Sequence, residues 1–123
     1  MSTTAAVPWP VELKFSRTDH ALAISFDDGS SFKLPAEYLR VESPSAEVQG
    51  HGAGQKQIVA GKRNVGVTRI EPVGRYAVRI VFDDGHDTGL FSWAYLHQLG
   101  REQAARWSEY ERRLAHARLA RDA

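Results

Sequence analysis

The chain has 123 residues, of which 42% are hydrophobic and 25% charged, with a formal net charge of +1; these values suit one globular domain closed around a single core. So balanced a charge gives no global field for nucleic acid or an acidic membrane surface. The complete lack of cysteine excludes disulfides, thiolate catalysis, cysteine-ligated zinc and cysteine-ligated iron–sulfur clusters.

Residues 1–10 read as a flexible leader, small and polar until Val7-Pro8-Trp9-Pro10. There two prolines interrupt regular hydrogen bonding, and Trp9 is expected to cap the edge of the core. No basic segment followed by an apolar run is present, and no stretch approaches the roughly 18 apolar residues of a membrane span. A cytoplasmic protein without a membrane partner is the expectation. Val11, Leu13 and Phe15 alternate with polar residues and predict a first strand with those three side chains buried. Arg17 to His20 then turn the chain, with His20 in solvent.

Residues 21–39 and 77–96 share one plan. Phe26-Asp27-Asp28-Gly29 aligns with Phe82-Asp83-Asp84-Gly85, and after a one-residue insertion Tyr38-Leu39 aligns with Tyr95-Leu96. In each copy an apolar alternation (Leu22, Ile24, Phe26; Val78, Ile80, Phe82) runs into Asp-Asp-Gly, the pattern of a half-buried strand entering a tight hairpin. Gly29 and Gly85 are expected at positive φ, the conformation such turns require. Strands over Ala21–Phe26 and Ser31–Leu34 lead to a short helix opened by Pro35, and Ser43-Pro44 marks a further short turn. In the second copy Ser92 caps a helix carrying Trp93, Leu96 and Leu99 and ended by Gly100.

Between the copies, residues 49–66 hold five glycines and the cations Lys56, Lys62 and Arg63 without an acidic residue. Exposed amides and cations suit an anion or an acidic partner surface, although Gly61-Lys62-Arg63 is not a phosphate-loop sequence. Val65 to Val73 resume a strand pattern whose parity changes between Val67 and Ile70, which a bulge near Thr68-Arg69 would reconcile. The tail from Arg101 to Ala123 is helical, with Trp107, Tyr110, Leu114 and Ala117 in one stripe, to be packed on the sheet or offered to a partner helix. Its arginines interleave with Glu102, Glu109, Glu111 and Asp122, so a solvated face is expected rather than nucleic-acid binding. The predicted architecture is α+β: a small, twisted antiparallel sheet built from two strand-hairpin-helix repeats, plus a C-terminal helix.

The blocks Leu34-Pro35-Ala36-Glu37-Tyr38-Leu39-Arg40-Val41, Ser43 through Gly52, Gly61-Lys62-Arg63 and Asp84-Gly85-His86-Asp87-Thr88-Gly89-Leu90-Phe91-Ser92-Trp93 together resemble the DUF971 domain, also called the gamma-butyrobetaine hydroxylase-like N-terminal domain. The resemblance spans residues 11–100, leaving 1–10 as leader and 101–123 as an amphipathic helix. It implies an accessory role beside a 2-oxoglutarate and iron dioxygenase domain, for which too few residues follow Gly100. It also implies a zinc site of three cysteines and a histidine. The histidine corresponds to His86, but Ser43, Ser45 and Val48 stand at the thiolate positions, and hydroxyl and isopropyl groups do not replace thiolates on zinc.

No cofactor is therefore expected, zinc least of all, and no catalytic residue. The main reading is a non-catalytic module that binds another protein, through Lys56, Lys62 and Arg63 in the glycine-rich loop and Trp107, Tyr110 and Leu114 on the helix. The alternative is a metal- or anion-binding protein in which His86, His51, Asp84 and Asp87 hold iron or another divalent ion. Against it stands a structural role for His86, with one ring nitrogen bridging the two repeats.

Overall fold

The Asp-Asp-Gly turns explain the rest of the architecture. In the computed structural model, which describes residues 8–49 and 58–122, Gly29 and Gly85 have φ of +88° and +91°. Each glycine N–H donates to the carbonyl of Phe26 or Phe82, and each phenylalanine N–H donates to the carbonyl just past the glycine, on Ser30 or His86. A side chain added at either glycine would meet open space, so the backbone conformation alone demands glycine there.

Around these turns the elements run β1 (Pro10–Ser16), β2 (Ala21–Phe26), β3 (Ser31–Pro35), α1 (Ala36–Val41), α2 (Ala46–Gln49), β4 (Val67–Val73), β5 (Ala77–Phe82), β6 (Leu90–Ser92), α3 (Trp93–Arg101) and α4 (Gln103–Ala117). The predicted α+β class and antiparallel repeats are observed, with the strands divided between two three-stranded sheets, β1-β2-β3 and β4-β5-β6. The repeat also begins one strand earlier than the sequence shows. Both first strands slip register at matching places, between Pro10 and Glu12 and between Val67 and Arg69. Thr68 thus forms the bulge expected from the change of parity. Val11 occupies the corresponding bulge and is 66% exposed, which corrects its expected burial: the extra residue of a bulge leaves the ladder and its alternation. Leu13 and Phe15 still pack, half-buried, against the core.

That core draws Leu22, Ile24, Phe26 and Leu34 from one sheet, Val78, Ile80, Phe82 and Phe91 from the other, and Tyr38, Leu39, Leu96 and Leu99 from the helices. Pro35 is the residue before α1 rather than its first helical residue, with extended ψ of 146°. Ser92 caps α3 as expected, its hydroxyl accepting from the Tyr95 N–H at 3.0 Å. Gly100 does not end that helix. It lies inside α3, where a Cβ would overlap the Phe32 ring, so the glycine serves close packing. The break comes at Glu102, with φ −101° and ψ 12°, and α4 ends at Arg118 in the left-handed region (φ 56°). There the Leu119 N–H reaches back to the Leu114 carbonyl, closing the helix C-terminus.

Tyr110 and Leu114 are 7% and 5% exposed and pack with Val41, while Trp107 is half-buried against both core clusters. The stripe therefore packs toward the domain; Ala117, expected in it, is exposed. Past α4 the chain returns along residues 61–63, whose Gly61 and Arg63 N–H groups donate to the carbonyls of Ala120 and Arg121. Among the described residues no helix is long and apolar enough to cross a membrane.

Candidate functional site

The repeats hold each other by reciprocal contacts. Tyr38 donates its hydroxyl to the Leu99 carbonyl (2.7 Å), and the equivalent Tyr95 donates to the Glu42 carbonyl (2.5 Å), each acceptor lying four residues beyond the other tyrosine. Burial pushes the Tyr38 hydroxyl up and the Tyr95 hydroxyl up to about 12, with Glu42 adding to both shifts, so both remain donors. The residue two places after each tyrosine then reaches the hairpin of the other repeat. Arg40 Nε lies 2.9 Å from Asp84 Oδ2, and His97 Nε2 lies 2.8 Å from Asp28 Oδ2. Because Arg101 Nε–H donates to His97 Nδ1, the proton on Nε2 is the one directed at Asp28. His97 is only 8% exposed and was not singled out in the sequence; its alignment with Arg40 was the available signal.

On one side of this scaffold the chain carries more chemistry. Ser43 and Ser45, in the turn between α1 and α2, both face the hairpin histidine of the second repeat. His86 Nε2 lies 3.0 Å from Ser43 Oγ and 3.3 Å from Ser45 Oγ, and the two hydroxyls are 3.3 Å apart. His86 thus bridges the two repeats. Gln49 Nε2 fixes the turn by donating to the Ser43 carbonyl at 2.9 Å. Val48 is 1% exposed, and its N–H donates to the Ser45 carbonyl.

The expected metal ligands are arranged otherwise. His51 lies outside the described residues. Asp84 Oδ2 is occupied by Arg40 and by Lys62 Nζ at 2.7 Å, while its Oδ1 accepts from the His86 N–H. Burial opposes the charge on Asp84, but hydrogen bonds from Lys62, the His86 amide and Arg40 outweigh it and hold the carboxyl at about 2. Asp87 is exposed. Among the described residues no three His, Asp or Glu side chains come together as a metal-binding group.

The loop cations need a correction as well. Lys56 lies outside the described residues, but Lys62 is paired with Asp84 and Arg63 with Asp122, so these two are not the uncompensated charges that the local sequence suggests. Their partners lie 22 and 59 positions away in sequence, beyond any local window. Likewise Arg106 reaches Glu42 at 2.8 Å and Arg121 reaches Glu37 at 2.7 Å, two carboxylates whose side chains are 4% and 6% exposed. These pairs bind the C-terminal segment to α1.

Among the described residues an aromatic surface lies open. Trp9 and Tyr76 are 44% and 69% exposed. The Trp9 ring meets Tyr76 and Trp93 edge-on, with centroids 6.0 and 6.5 Å apart. The cluster is anchored by the Trp9 N–H donating to Asp27 and the Trp93 indole donating to the Arg75 carbonyl.

A family model for the gamma-butyrobetaine hydroxylase-like N-terminal domain matches residues 13–97. No curated protein matches the chain. Two structures solved by NMR in solution are similar to it: one at 43% identity, TM-score 0.83, covering 95% of this chain and 92% of that one, the other at 48% identity, TM-score 0.82, covering 98% and 90%. A crystal structure of a protein of unknown function from Acidithiobacillus ferrooxidans, of the DUF971 family, matches at 40% identity with TM-score 0.63, over 74% of this chain and 91% of that one. The bulged antiparallel repeats, the paired Asp-Asp-Gly hairpins and these matches have one reading: the chain belongs to the gamma-butyrobetaine hydroxylase-like N-terminal domain family, DUF971.

Proposed function

We propose that this chain is a non-catalytic accessory module that binds another protein through the aromatic cluster of Trp9, Tyr76 and Trp93. The observation that carries the reading is the exposure of Tyr76 (69%) and Trp9 (44%) beside a third aromatic ring whose own polar group is already satisfied. Rigid aromatic side chains held edge-on cost little ordering entropy on binding and are enriched among interface anchors. The partner that fits is a protein presenting an apolar side chain to the rings. The loop cations fit the role less well, since Lys62 and Arg63 already have carboxylate partners.

A catalytic role has little support. Ser43, whose hydroxyl lies 3.0 Å from His86 Nε2, is fully buried, and a nucleophile without access to solvent cannot meet a substrate. Cross-linking in cell extract followed by mass spectrometry, comparing wild type with Tyr76→Ala and with Trp9→Ala, tests the proposal. We expect one cross-linked partner to be lost in both variants while thermal stability changes little for Tyr76→Ala. Retention of every partner by both folded variants would place the interaction elsewhere.

A further inference from the structure

Ser43 Oγ, Ser45 Oγ and His86 Nε2 form a closed triangle with sides of 3.0, 3.3 and 3.3 Å. Its corners come from both repeats: two from the turn after α1, one from the β5–β6 hairpin. A tetrahedral zinc ion with sulfur at about 2.3 Å and nitrogen at about 2.0 Å holds its ligand atoms roughly 3.5–3.8 Å apart. The triangle has nearly that size, slightly contracted to the length of hydrogen bonds. Val48, on α2 three residues beyond Ser45 and 1% exposed, stands where the resemblance implies the fourth ligand and offers no donor atom.

The donor set does not fit a metal. A serine hydroxyl gives up its proton far less readily than a thiol and is a poor zinc ligand, and valine has no donor atom. The two hydroxyls and Nε2 lie within hydrogen-bonding distance of one another, and two of the three edges bonded at a time give every corner a partner, so none is orphaned and awaiting an ion. The second repeat presses on the same point from its backbone: a Cβ at Gly89 would overlap Ser43 Oγ, so glycine there lets the strand approach β6 directly over the buried hydroxyl.

We propose that hydrogen bonding among Ser43, Ser45 and His86 replaces, in this chain, the metal cross-link between the two repeats, at a position where the ligand geometry is still converged. The cluster is then a structural bolt that needs neither metal nor a reducing compartment. Unlike a thiolate site it is indifferent to chelators and to oxidants of sulfur.

The test has three arms. Tag-free wild type is assayed for zinc and titrated with Co(II) alone; we expect no stoichiometric metal, and one metal per chain that disappears in His86→Ala overturns the proposal. The Ser43→Cys/Ser45→Cys/Val48→Cys variant, otherwise unchanged, is expected to take up one Co(II) with thiolate charge-transfer and tetrahedral d–d absorption, lost when His86→Ala is added. A folded triple variant that binds none shows that the corners are not converged and overturns the proposal too. Because three substitutions in a buried turn can prevent folding, the third arm is a double-mutant cycle of Ser43→Ala and His86→Ala, read by denaturant unfolding. If the bond is the cross-link, the two single effects on the unfolding equilibrium multiply to more than the double variant shows, by about fivefold. Independent effects within error overturn it.

Discussion

The two repeats use one backbone plan for different ends. Tyr38 and Tyr95, Gly29 and Gly85, Asp28 and Asp84, and the bulges at Val11 and Thr68 are matched pairs. Beyond the tyrosines they diverge. In the first repeat the helix stops at Val41, and the chain turns through Ser43 and Ser45 to meet His86. In the second, Gly100 stands where Ser43 would be, the helix continues, and Ser30 takes the place of His86. The lesson is that reciprocal hydrogen bonds fix how the halves meet, which leaves the region just past each helix free to differ. Past α1 the chain forms the Ser43–Ser45–His86 cluster; past α3 it continues into α4.

The largest effect that separates the repeats should come from Glu42, which occupies the position of Leu99. Arg106→Ala leaves that nearly buried carboxylate without its guanidinium. Allowing for the 24% exposure of Arg106, the loss should be about 2–3 kcal/mol in urea unfolding. Arg112→Ala, which breaks the exposed, solvent-screened pair with Glu109, should leave the urea midpoint nearly unchanged. Equal midpoints for the two variants would remove the case for α4 as an integral layer over the first repeat.

Next in size are the reciprocal hydroxyls. Tyr38→Phe and Tyr95→Phe each strand one carbonyl and should each cost about 1–1.5 kcal/mol, with Tyr38 the larger because it is 1% exposed while Tyr95 is half-buried. A neutral result for both would show that apolar packing alone joins the halves. Gly29→Ala and Gly85→Ala should cost about 1 kcal/mol each, and nearly the same amount, since the two φ values agree and neither site is crowded. A large difference between them would break the equivalence of the hairpins.

The smallest expected effect is on pH dependence. Asp28 is held at about 2 chiefly by the Ser30 hydroxyl and amide, and Asp84 at about 2 by Lys62, the His86 amide and Arg40 against the cost of burial. Both folded-state values lie below the usual carboxylate range. The stabilisation is therefore complete above about pH 4 and is lost as pH falls toward 2. Asp28→Asn and Asp84→Asn should each flatten the fall of the unfolding midpoint between pH 4 and 2. An unchanged acid slope in both would mean that neither hairpin carboxylate is linked to folding.

Local sequence determined the hairpins, the antiparallel strands, the Thr68 bulge and the Ser92 cap, because each depends on residues within a few positions. Alternation, Asp-Asp-Gly and a serine before a helix act through short-range backbone geometry. The internal repeat was legible too, and with it the alignment of Arg40 with His97, although not what either residue touches. Tertiary structure alone decided the rest. Lys62 and Arg63 were bare cations in sequence and became paired through Asp84 and Asp122; Trp107, Tyr110 and Leu114 could have faced a partner until α4 folded over Val41; Gly100 looked like a helix stop until Phe32 was placed against it. Ser43, Ser45 and His86 were marked by their positions, but only folding brought hydroxyls and imidazole to 3.0–3.3 Å across 41 and 43 residues. The physical reason is common to all of these: charge compensation, burial and close approach depend on distances between elements, and those are set by packing the two repeats together rather than by any stretch of chain.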